Sequence, residues 1–101
     1  MGMTDIRRRI DVVDNQLTEL FCERMRLAAQ AGAAKRRLGL PLNDDVRERE
    51  ICMRAAQLAG KELAPYAWQF FKSLFIIAKD YQVHQPALEK QPEADDKQAK
   101  S

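Results

Sequence analysis

The stretch IRRRIDVVDNQLTELFCERMRLAAQAGAAK, residues 6–35, decides the fold. It holds no Gly or Pro before Gly32, and its apolar residues fall in two columns at seven-residue steps. One column runs Met3, Ile10, Leu17, Arg24, Ala31 and the other Ile6, Val13, Leu20, Leu27, Ala34. That period predicts a single long helix with a coiled-coil-like seam. Thr4 is its expected N-cap, and Asp5 suits the positive end of the helix dipole. From about Asp5 to about Arg37 the helix spans roughly 50 Å at 1.5 Å per residue.

Outward from this segment, Gly39 and Pro41 end the first helix. LNDD, residues 42–45, offers capping side chains to a second helix expected from about Asp44 to Ala59 and closed by Gly60. Pro65 suits the first turn of a third, whose apolar residues Trp68, Phe71, Leu74, Phe75 and Ala78 keep a helical spacing until Pro86. Strand alternation is absent, so the expected class is all-α: one long and two shorter helices. Two short helices cannot cover so long a partner, which predicts an intertwined helical homodimer. The helical domain is assigned to residues 1–85. The tail, 86–101, holds three lysines and four acids with one Leu and no aromatic, and is expected to be disordered.

A chain of 101 residues, 46% hydrophobic and 32% charged, is expected to bury one core. No apolar run approaches the roughly 18 residues of a membrane span, and the opening MGMTDIRRRID lacks the apolar segment of a signal peptide. The expectation is a cytoplasmic protein with no membrane partner. A net charge of +2 argues little for nucleic acid. The triplets Arg7-Arg8-Arg9 and Lys35-Arg36-Arg37 motivate a helical nucleic-acid-binding or interaction module as the distant alternative, but Asp5, Asp11 and Asp14 dilute the first. Cys22 and Cys52 lie far apart within helical patterns and read as two buried thiols.

More informative are polar residues in register with the apolar stripes. Arg24 stands in the column of Leu17 and Ala31, and Lys35 continues that of Phe21 and Ala28. Gln82 follows Trp68 and Phe75 at seven-residue steps. In the second helix the stripe Ile51, Ala55, Leu58 extends back through Glu48 to Asp44, with Arg47 beside it. Singly, each has an ordinary explanation: a snorkelling cation, a register-setting amide, acids in a first turn. Together they describe a polar, cation-rich cavity inside an apolar bundle, suited to a small dicarboxylate.

What is missing restricts the chemistry. The single His84 lies near a helix end and the serines are Ser73 and Ser101, so no nucleophile, base and orienting acid assemble. No metal cluster or phosphate-cradling glycine loop is present in the sequence. What remains is electrostatic positioning, with guanidinium groups gripping carboxylates and Lys and Gln donating to developing negative charge. A unimolecular rearrangement needs no more.

With these residues in this order, the sequence resembles the all-helical (AroQ-class) chorismate mutases. The resemblance runs from about Ile6 to Gln82 and is carried by IRRRIDVVDNQL, ERMRLAAQAGAAK, GLPLNDDVRERE and FFKSLFIIAKDYQ. It implies a dimer that pairs its long helices, no cofactor, and the Claisen rearrangement of chorismate to prephenate on the route to aromatic amino acids. It further implies that Arg7 reaches into the partner's pocket to hold one substrate carboxylate while Arg24 grips the other. Lys35 and Gln82 would donate to the ether oxygen, and Glu48 would receive the ring hydroxyl, assisted by the backbone near Asp44. Arg47 would complete the ionic network. Ala78 departs from the family, which often carries a small hydroxyl residue there, and this puts substrate preference in question. The chain would be a stand-alone enzyme. The rival on the same scaffold is an isochorismate pyruvate lyase forming salicylate, which Glu48 disfavours; an aminodeoxychorismate mutase is a further variant.

Overall fold

The computed structural model describes residues 1–84; the tail assigned to 86–101 lies outside them. The chain forms three helices, α1 (Met3–Leu38), α2 (Asp45–Ala59) and α3 (Ala64–Val83), with no strand among the described residues. The all-helical expectation therefore holds for the described chain.

The helix ends follow local chemistry, with one correction. The N-cap of α1 is Gly2 in an extended conformation, not Thr4, and Ile6 N–H already bonds Gly2 carbonyl at 3.1 Å. Thr4 thus falls inside the first turn beside Asp5. At the other end, Gly39 takes the left-handed conformation (φ 71°), with Gly39 N–H bonded to Arg36 carbonyl and Leu40 N–H to that of Lys35. This closing motif requires a positive φ, which glycine adopts without a Cβ clash. Asp44 caps α2, its Oδ1 accepting from Arg47 N–H at 3.1 Å. Pro65 sits in the first turn of α3, where its missing N–H costs nothing, and the helix stops at Val83, ahead of Pro86.

Packing centres on α3, which contacts both other helices. Leu74, Phe75, Ala78 and Gln82 of α3 are buried together with Met25, Ala29, Gly32 and Ala33 of α1 and Cys52 of α2. The small residues of α1 let α3 approach closely, and a Cβ built on Gly32 would stand 3.2 Å from Gln82 Cγ. Cys52 is fully enclosed, its Sγ 3.9 Å from Trp68 carbonyl. Cys22 is only half-buried. The face that α2 presents is rotated from the expected stripe: Cys52 is the buried residue, while Leu58 is 82% exposed.

All buried residues of α1 lie in its C-terminal half. The N-terminal half projects from the bundle, giving extents of 52 × 27 × 27 Å and a radius of gyration of 16.8 Å. A compact chain of this length would have a radius near 12 Å. Along that projection Ile6, Ile10, Val13, Leu17 and Leu20 are each between 39% and 61% exposed. The seam seen in the sequence is therefore uncovered within one chain.

Candidate active site

Where the C-terminal halves of α1 and α3 meet the start of α2, a cavity of about 340 Å³ opens. Its walls are mainly apolar: Leu27, Ala28 and Ala31 from α1, Leu42 from the α1–α2 loop, Ile51 from α2, and Phe75 and Ala78 from α3. Into it come Arg24, Arg47, Glu48, Lys79 and Gln82. A low-polarity wall with a few convergent charges strengthens each electrostatic contact made inside it.

Arg24 is half-buried, with its Cζ 5.7 Å from the ring centroid of Phe75 and 5.9 Å from that of Phe71. The two rings orient the guanidinium through cation–π attraction. Burial, and secondly the charge of Arg47, lowers the Arg24 pKa from its ordinary value. Both effects press toward an anionic partner, which would relieve the repulsion and replace lost hydration.

Gln82 is 7% exposed, and its Nε2 donates to Ala28 carbonyl at 2.7 Å. A main-chain carbonyl only accepts, so this bond also fixes which end of the amide is nitrogen. The second N–H of Nε2 remains available to the cavity that Gln82 lines. Gly32, one turn beyond Ala28 on α1, leaves the room that the Gln82 side chain occupies.

Glu48 forms an ion pair with Lys79, Oε2 to Nζ at 2.8 Å. The same ammonium donates to Asn43 Oδ1, and Asn43 Nδ2 donates in turn to Asp45 Oδ1 at 2.7 Å. The loop, the first turn of α2 and the end of α3 are thereby joined on one side of the cavity.

Three of the residues expected at the site do not line this chain's cavity, which for Arg7, expected in a partner's pocket, is no departure. Lys35 does not line the cavity: its Nζ donates to Leu42 carbonyl at 3.2 Å, beside the wall. Asp44 is exposed and engaged as the α2 cap. Arg7 is exposed on the projecting half of α1, about 25 Å from Arg24 along the helix at 1.5 Å per residue. The cavity does bring together Arg24, Arg47, Glu48, Ala78 and Gln82. Sequence reading missed Lys79, although it lies four residues after Phe75 and three before Gln82, at the spacing that marks the inward face of α3.

Fold and cavity together define an all-helical protein with a cation-bearing cavity between its helices. The chain matches the family model for chorismate mutase type II over residues 6–83, and it belongs to that family. It is 39% identical over 56 residues to the chorismate mutase of Methanocaldococcus jannaschii, covering 55% of this chain and 57% of that protein. A T-protein of Haemophilus influenzae is 39% identical over 63 residues, covering 62% of this chain and 16% of its own length. The 3-dehydroquinate dehydratase of Pyrobaculum aerophilum is 31% identical over 77 residues, covering 76% of this chain and 25% of its own length. The chain thus spans less than two thirds of each of these relatives. No solved structure matches it at the significance these relatives reach.

Proposed function

We propose that the protein is a chorismate mutase, converting chorismate to prephenate as a homodimer. The observation that carries this is the cavity in which Arg24, Arg47 and the oriented Gln82 amide line apolar walls. Family membership and the similarity to the methanogen chorismate mutase support the same reading.

In the rearrangement the ether C–O bond breaks as a new C–C bond forms, within one molecule and without a leaving group. Arg24 holds one carboxylate and Arg7 of the partner subunit the other, which presses the substrate into its compact reactive shape. Negative charge grows on the ether oxygen as the C–O bond lengthens. The free N–H of Gln82 and the ammonium of Lys35, released from Leu42, stabilise that charge more in the transition state than in the ground state. Glu48 accepts the ring hydroxyl, beside the start of α2 that Asp44 caps, and Arg47 balances the charge at the mouth. Ala78 leaves an apolar contact where a hydroxyl would otherwise stand.

The homodimer rests on the uncovered seam of α1. Leu17, Leu20 and Phe21 join Phe70, Phe71 and Leu74 around an apolar groove of about 440 Å³, next to the half of α1 that carries Arg7. A second long helix laid there removes this apolar surface from water and delivers a cation that its own chain cannot bring to its own cavity.

The test is incubation of purified protein with chorismate, following loss of the enol-ether absorbance and appearance of prephenate. Turnover well above the uncatalysed rate is expected. Inertness toward chorismate with formation of fluorescent salicylate from isochorismate would overturn the assignment in favour of a lyase.

A further inference from the structure

Lys79 has no part in the mechanism above, yet its ammonium stands at the cavity wall with two of its three N–H groups directed at protein acceptors. One is Glu48 Oε2 at 2.8 Å and the other is Asn43 Oδ1. A carboxylate in a cavity with two guanidinium groups is itself a good ligand for them, because the planar fork of arginine pairs with carboxylate bidentately. A loose Glu48 would turn to Arg24 or Arg47 and occupy the positions that a substrate carboxylate needs. Here its ion pair is with Lys79 instead.

We propose that Lys79 is a positioning residue that withholds Glu48 from the arginines, keeping them open to a dicarboxylate and leaving Glu48 Oε1 as a fixed acceptor for a hydroxyl. The inference rests on the proposed function for its substrate, but the lock itself does not. Its anchors favour positioning over direct contact: Asn43 is braced by Asp45, and Glu48 stands in the first turn of the helix that Asp44 caps. Lys79 joins α3 to both, so its loss frees the carboxylate without removing a buried group, the ammonium side chain being 38% exposed.

Two measurements on the full chain decide it. In steady-state turnover of chorismate, Lys79→Met is expected to raise KM about tenfold with a smaller change in kcat, and Lys79→Arg to stay within about twofold of the parent. Because Lys79 acts through Glu48, the double variant Lys79→Met, Glu48→Gln should have a KM no higher than that of Glu48→Gln alone. If the two effects multiply, Lys79 contacts the ligand directly and the proposal falls; an unchanged KM in Lys79→Met also overturns it. The second measurement uses no substrate: urea unfolding of the parent, Lys79→Met, Glu48→Gln and the double variant should show the pair coupled by about threefold in the unfolding constant. Independent effects would mean that the lock does not form. Should the parent protein be inert to chorismate, the proposed function fails, and the unfolding cycle still tells whether Lys79 holds Glu48.

Discussion

Gln82 holds its amide nitrogen 2.7 Å from the carbonyl of Ala28, a residue 54 positions earlier and on another helix. That one bond orients the group assigned to the ether oxygen. In Gln82→Glu, an ionised carboxylate would face both Ala28 carbonyl and a dianionic substrate, and only the protonated form could donate. Activity should be at least about a hundredfold lower at neutral pH and rise as the pH falls. Initial rates measured from pH 4 to 8 check this, and a flat profile removes Gln82 from the contact.

Gly32 tests the same contact from the other side. In Gly32→Ala the new Cβ would lie 3.2 Å from Gln82 Cγ, so the glutamine must shift by a few tenths of an ångström. The substitution favours the helix by up to about 1 kcal/mol, which offsets much of that cost. Thermal unfolding should stay close to the parent while kcat drops about tenfold, since a displaced donor no longer tracks the developing charge. Parallel losses of stability and activity would show that Gly32 serves packing alone.

Arg24 lies over the rings of Phe71 and Phe75 and is repelled by Arg47, so its proposed anchoring of an anion depends on the planar fork as well as on charge. Arg24→Ala should keep the helical content and lower kcat/KM by roughly a thousandfold. Arg24→Lys should recover little, because lysine cannot grip a carboxylate bidentately. Circular dichroism and turnover measured on both variants decide this.

Shared sites predict complementation. Arg7→Ala and Arg24→Ala should each be nearly inactive, yet mixing them under conditions of subunit exchange builds a heterodimer with one intact site. Random exchange then restores about a quarter of the parent activity, as half the dimers carry one site of two. Failure to recover activity despite exchange, followed by mass spectrometry, would place Arg7 outside the site.

Asp44 is a cap whose loss is local. Asp44→Ala leaves Arg47 N–H without its side-chain acceptor and should cost about 1 kcal/mol, a fall in Tm of about 4–8 °C, while Asp44→Asn keeps most of the stability. Calorimetry distinguishes the two variants.

The helices were legible because their signals are local. Gly39, Pro41, Gly60 and Pro65 bracket the three elements to within a few residues of their observed ends. The error at Thr4 is of the same local kind, since Gly2 can also cap and gains the helix two further residues. The face of α2 was harder. Ile51, Ala55 and Leu58 form a fair stripe, but Cys52 is the residue that α3 encloses, and a rotation of one position leaves the helical period unchanged.

The sequence by itself determined the class of fold, the long seam and four of the polar residues that line the cavity, because periodicity and capping act over one or two turns of a single helix. It carried Arg24, Arg47, Glu48 and Gln82 to the cavity by their register alone. Only the tertiary structure decided that Lys79 pairs with Glu48, that Lys35 stands beside the wall on Leu42, and that Gln82 is aimed by Ala28 across a gap left by Gly32. Those relations join residues of separate elements through distances of a few ångströms. Helical spacing says which face a side chain is on, but not which atom of a neighbouring helix it meets.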